Sequence, residues 1–303
     1  MDYKLSDLEV WDEKITEIAK KHGLDWFDIE YEFIDYYSMI GAMAFHGLPS
    51  HFNHWSFGKS FERTHQMYNL GMEGLPYELI INSNPSLAYM MRENPLHLQV
   101  LIMAHCVGHS DLFKNNRTFK GTRPDTIVAR CRSAKKRFQS YVEDPSIGIS
   151  KVEEVLDACH AIQFHTSRPG MLRRSNEEIL QMWRDKYKAD PDIDILDIDV
   201  NPLEPDYDIL AFILENAKLP SWKKDIIEVC RDEGMYFWPQ LQTKIMNEGW
   251  ATYWHSKLMT EKILDASEII DYADNAAGVL ATSGGRLNPY KLGVELYRNV
   301  AER

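Results

Sequence analysis

Apolar residues recur at three- and four-residue steps along most of the chain, the period of a helix that buries one face. This predicts helices over 6–22, 26–46, 96–113, 125–142, 151–165, 175–188, 207–217, 221–233, 235–260, 262–281 and 289–301. The first has a Ser6-x-x-Glu9 capping-box pattern and stops before Gly23. Alternation is confined to Tyr77–Ile81, bounded by Pro76 and Asn82-Ser83-Asn84-Pro85, and to a stretch near His51–Phe57. The expected fold class is therefore mainly α, compatible with a zincin-like arrangement, with a minor β element near residues 50–82. The composition shifts once, at Ala189–Asp208, which holds eight acids, three prolines and no base. That stretch reads as an acidic linker or loop between a helical part at 1–188 and another at 209–303, the whole expected as one compact unit. Its Asp-x-Asp spacing lacks the glycine and closing glutamate of an EF-hand loop, which argues against calcium.

Composition narrows the function classes. With 44% hydrophobic and 26% charged residues over 303 positions, the chain is an ordinary globular sequence. The net charge of −12 disfavours general nucleic-acid binding, which draws on a surplus of Lys and Arg. The charge is uneven, however. Lys114–Arg137 carries nine bases (Lys114, Arg117, Lys120, Arg123, Arg130, Arg132, Lys135, Lys136, Arg137) against Asp125 alone. An anionic substrate or partner would suit that stretch; a solvated helix face paired with acids elsewhere is the plainer alternative. No run reaches the roughly 18 apolar residues of a membrane span, and the acidic N-terminus lacks the form of a signal peptide. Cys106, Cys131, Cys159 and Cys230 stand singly, without CxxC spacing, as in a reducing compartment. The expectation is a cytoplasmic protein with free, mostly buried thiols.

Candidate chemistry begins with His105 and His109. Four residues apart on a predicted helix, they present both imidazoles on one face, where they can share a metal. Eleven histidines in this length give about 0.4 such pairs by chance, so the pair alone is weak. Asp111 is a candidate to hold one imidazole's tautomer. Glu248 lies among Ile245, Met246, Trp250, Tyr253 and Trp254, where an unpaired carboxylate would be costly. His255 follows on the same helix face. His105, His109 and Glu248 form the ligand set of a catalytic zinc site with an open fourth position, His255 being a further ligand or an acid/base group. His54, Lys59 and Glu62 are candidates for the same cleft, while Trp55 and Phe57 read equally well as core. Glu62-x-x-His65 and Asp157-x-x-His160 raise a di-iron helical bundle as a rival, although that pattern needs two further carboxylates.

The run NEGWATY at 247–253 resembles the NEGFA element that supplies the glutamate ligand in zinc aminopeptidases of the gluzincin clan, and the helix HCVGH at 105–109 resembles their HExxH helix. Cys106 stands where that clan has its catalytic glutamate, and Glu248 follows His109 by 139 residues rather than by a short hairpin. A longer resemblance is to the SpoVR family, stage V sporulation protein R. It is carried by HWSFGK at 54–59, YELIINSNP at 77–85, AHCVGHSDLFKNN at 104–116, MNEGWATYWH at 246–255 and NPYKLG at 288–293. It implies a bacterial cytoplasmic protein linked to spore cortex formation or stress physiology, with a PrkA-type serine kinase and a von Willebrand-A-like protein as partners. Members commonly continue further, so this chain is expected to be truncated at its C-terminus or a short member. The family brings no established reaction.

These readings converge on a zinc site of His105, His109 and Glu248 in a metal-dependent hydrolase acting at an amide-like bond. His255, Glu62 or His54 would be the acid/base group, and Tyr253 would steady an oxyanion. The competing reading is a non-catalytic regulatory or scaffold protein working with the kinase. The missing HExxH glutamate favours the scaffold; the retained pairing of HxxGH with NEGWA favours the hydrolase.

Overall fold

A computed structural model describes residues 3–72, 74–165, 208–263, 276–282 and 287–303, with 181, 185 and 273. The acidic stretch 189–208, apart from Asp208, and most of the helices expected at 175–188 and 262–281 lie outside the described residues. The chain divides into two compact units, Met1–Ile149 with Pro239–Arg303, and Ser150–Trp238. Mainly helical architecture with a minor β element is what the periodicity predicts.

The first unit is built around α4 (Leu96–Asn115). From Leu96 to Ser110 this helix carries no Asp, Glu, Lys or Arg, and its residues from Leu98 to Phe113, Leu101 apart, are buried. A helix without a charged face over four turns belongs in the middle of a core rather than on its surface, and its buried polar residues Gln99, His105, His109, Ser110 and Asp111 find partners there. Around it lie α1 (Leu5–Lys21), a three-stranded sheet and α9 (Lys244–Leu258). The sheet order is β1 (Ile29–Ile34), β3 (Ser86–Met91), β2 (Glu78–Ile81). β1 runs parallel to β3 with Ile29 opposite Ser86, and β2 runs antiparallel to it with Glu78 opposite Met90. Among the described residues no helix is long and apolar enough to cross a membrane.

Several local expectations change. The helix expected over 26–46 is β1 followed by α2 (Tyr36–Ala44), because Glu30 and Glu32 alternate with Tyr31 and Phe33 and because Asp35 caps a new helix through the Ser38 amide at 2.7 Å. The stretch near His51–Phe57 is not a strand: α3 (Trp55–Asn69) begins inside it. The β element consequently extends beyond 50–82 to Ile29–Ile34 and Ser86–Met91. The cap of α1 lies two residues earlier than Ser6 and Glu9, where the Asp7 carboxylate accepts from the Lys4 amide at 2.8 Å. The basic residues after α4 continue into α5 (Ile127–Glu143).

The second unit contains α6 (Ile149–Ile162) beyond its first residue, α7 (Ile209–Asn216), and α8 (Ser221–Gln242) as far as Trp238. Asp208, 1% exposed, caps α7 through the Ala211 amide and pairs with Arg231 at 2.8 Å. The helical break expected at Gly234 falls instead at Thr243. Gly234 is the point where α8 meets the Gln163 carbonyl, 2.4 Å from where a Cβ would stand.

Candidate metal centre

Two close backbone approaches assemble the site. Gly108 of the HxxGH sequence faces Ala251 of NEGWA, and a Cβ on Gly108 would lie 2.7 Å from the Ala251 Cα. The second approach joins α9 to α10 (Pro289–Glu302): a Cβ on Gly249 would meet Gly293 backbone at 2.4 Å, and one on Gly293 would meet the Ile245 carbonyl oxygen at 2.2 Å. Carbon atoms pack at about 3.5–4.0 Å, so only glycine lets these helices come so near. Each glycine adjoins or lies within a turn of a site residue: Gly108 lies before His109, Gly249 after Glu248, and Gly293 one turn beyond Tyr290.

The side chains that result face one another. His105 Nε2 and His109 Nε2 are 3.0 Å apart. Glu248 Oε2 lies 3.5 Å from the His109 nitrogen and 3.8 Å from that of His105. Ligand atoms around a tetrahedral zinc, at bonds of about 2.0–2.1 Å, are spaced about 3.3 Å apart, and the observed spacings bracket that value. Among the described residues this is the group of His, Cys, Asp and Glu whose donor atoms lie within 4.8 Å of one another.

The outer nitrogens are fixed as well. His109 Nδ1 donates to Asn247 Oδ1 at 2.9 Å, which leaves a lone pair on the Nε2 that faces the cluster. His105 Nδ1 lies 2.9 Å from His255 Nδ1, so one of those two nitrogens carries the shared proton. If His105 donates, both facing Nε2 atoms present lone pairs and a cation between them relieves the repulsion. If His255 donates, a proton on His105 Nε2 must do so. The donor set thus fits a metal and holds a proton in its place.

The electrostatics agree. Burial pushes the Glu248 carboxyl up, but hydrogen bonding and charge from His105 and His109 outweigh it and hold it far below the usual carboxylate range. Burial lowers His109, whereas Glu248 and Asn247 raise it, and the net shift is upward. His255 is pushed well below its ordinary value, first by burial and then by the neighbouring imidazoles. Tyr290, which hydrogen-bonds Glu248, is raised by burial and then by the Glu248 and Glu78 carboxylates.

Of the residues singled out from sequence, His105, His109, Glu248 and His255 come together. His255, 4% exposed, touches the outer nitrogen of His105, on the side away from the Nε2 that meets His109. The others are elsewhere. His54 is the N-cap of α3 and accepts from the Ser56 amide. Glu62 is on the exposed side of α3, bonded by Gln66 at 2.7 Å, and Asp157 is exposed on α6. Tyr253 packs among aromatic rings, stacked on Trp250, edge-on to Trp254 and tilted against Tyr297. Asp111 holds no imidazole: it accepts from the Asp25 amide and from Trp250 Nε1, both at 2.8 Å. Cys106 is fully buried, and burial, then Glu78, keeps its thiol protonated. Within the basic stretch Lys114 is paired with Asp25, while Lys120, Arg132, Lys135 and Lys136 are exposed.

Sequence reasoning missed two residues. Tyr290 comes from the NPYKLG run, whose only sequence signal was its place in a longer resemblance. Glu78, the first residue of β2, puts Oε1 3.8 Å from His105 Nε2. Its signal was a carboxylate in an otherwise apolar strand, ELII.

A family model described as SpoVR like protein matches residues 2–303. The uncharacterized protein YcgB of Escherichia coli (strain K12) is 33% identical over 332 residues, covering 99% of this chain. The chain spans 64% of the length of that relative. No solved structure matches it.

Proposed function

The chain belongs to the SpoVR family, and from that premise we propose that His105, His109 and Glu248 hold a zinc ion in an amide-bond hydrolase. The observation that carries this reading is the convergence of three donor atoms at 3.0–3.8 Å on one buried wall. A bound zinc supplies Lewis acidity, polarising a carbonyl and making a water molecule a better nucleophile near neutral pH. The chain's own residues do the rest. Asn247 and His255 fix the two imidazoles by their outer nitrogens, and Tyr290 steadies the Glu248 carboxylate. The exposed bases of residues 114–137 would meet an anionic part of a substrate or a partner protein.

The test is metal analysis of the purified protein beside His109→Ala and Glu248→Ala. One metal ion per chain in the parent, lost from both variants, is the expected result. A metal-free parent, or metal unchanged in both variants, overturns the reading. An amidase and peptidase screen of the loaded protein then addresses the reaction.

A further inference from the structure

We propose that Glu78 is the general base of this centre, supplying from a strand the carboxylate that HExxH enzymes carry on the helix itself. The inference rests on the metal reading above. The HxxGH helix has Cys106 at the position of that carboxylate, and Cys106 is fully buried in the apolar core, so the helix offers no base of its own. Glu78 replaces it from the other side. In β2, Glu78 and Ile80 share a face, and Ile80 packs on the apolar cluster that includes much of α4. The same face therefore carries the Glu78 carboxylate to the inner nitrogen of His105, at 3.8 Å with 19% of its side chain exposed.

Two features separate it from the ligands. Glu78 is outside the group whose donor atoms all lie within 4.8 Å of one another. It also comes from a strand, β2, whereas the three donors come from the helices α4 and α9. A carboxylate just beyond the ligand atoms can reach a water held among them without joining them. In the proposed step, Glu78 takes a proton from that water as the water oxygen bonds to the amide carbon. The same proton then passes to the amide nitrogen as the carbon–nitrogen bond breaks, releasing an acid and an amine with one water consumed.

The probe is acetohydroxamic acid, which binds zinc as its anion and binds more tightly where a carboxylate within reach takes up its hydroxyl proton and keeps it hydrogen-bonded, so no natural substrate is needed. Zinc-loaded parent, Glu78→Gln, Glu78→Asp and the exposed-site control Glu62→Gln are compared by zinc competition and by calorimetry with the hydroxamate. Expected is zinc affinity within about threefold of the parent for every variant. Hydroxamate binding should weaken about 10- to 100-fold in Glu78→Gln, less in Glu78→Asp, and not in Glu62→Gln. Zinc retained with hydroxamate binding unchanged in Glu78→Gln overturns the assignment and leaves the metal site standing. Zinc lost in Glu78→Gln while the circular dichroism is unchanged also overturns it, making Glu78 a ligand. A parent that binds no zinc overturns both readings.

Discussion

Adding one methyl group at Gly108 tests whether a close helix crossing holds the two halves of the site together. The new Cβ would stand 2.7 Å from the Ala251 Cα and 3.3 Å from its Cβ. Normal carbon contacts lie at about 3.5–4.0 Å, so α4 and α9 must separate by about 1 Å. Alanine is the better helix former by about 1 kcal/mol, but overpacking of a rigid core costs about 1–3 kcal/mol and here meets backbone. We expect Gly108→Ala to lose up to about 2 kcal/mol of stability. Moving Glu248 by about 1 Å relative to His105 and His109 should also weaken zinc about 10- to 100-fold. The control is Gly58→Ala in α3, where a Cβ meets nothing within 4 Å, so the same substitution should stabilise by about 0.5–1 kcal/mol. Denaturant melts of the two metal-free variants and zinc competition on both supply the readings. Adding Ala251→Gly to Gly108→Ala should recover little, because the 2.7 Å clash is with the Cα. A Gly108→Ala protein as stable as the parent, with undiminished zinc affinity, would refute the crossing as the organiser of the site.

Two further outcomes follow from the same geometry. Asn247→Ala removes the acceptor that fixes His109 Nδ1 and should weaken zinc about 10-fold while leaving the fold intact; unchanged affinity in a competition titration would count against that role. The pH dependence has a definite sign. In the metal-free protein His109 is raised above 6.5 and Glu248 is lowered below 4.5. The His109 contribution to stability is complete below 6.5 and is lost as pH rises through its raised folded value. The Glu248 contribution is present above 4.5 and is lost as pH falls through its lowered one. Zinc replaces the His109 proton, so its apparent affinity should rise by up to about tenfold per pH unit on approach to that raised value and then level off. A pH-independent affinity from about 5.5 to 8 would contradict the exchange of metal for proton.

How much could be read in advance differs from element to element. α4 was legible because its apolar residues recur at three- and four-residue steps over a long run, and its i, i+4 histidines follow from the helical turn alone. β1 was not, since six residues with two glutamates among aromatics satisfy a helical and an alternating pattern equally well. Its pairing with β3, more than fifty residues away, decided it. His54 and Glu62 looked chemical because their residue types are, yet each has a local partner that a linear pattern does not display: the Ser56 amide for one, Gln66 for the other.

The sequence by itself determined the helical class, the family membership and three ligand candidates, His105, His109 and Glu248. All of these follow from local spacing or from whole runs of residues. Only the tertiary structure decided that these three side chains meet, that His255 lies against His105, and that Glu78 and Tyr290 stand beside the cluster. Donor atoms must converge within about 4 Å to share an ion, and that convergence is set by Gly108 against Ala251 and Gly249 against Gly293. These contacts span 143 and 44 residues, since 251 − 108 = 143 and 293 − 249 = 44. A glycine in the sequence does not say which backbone it admits; packing does.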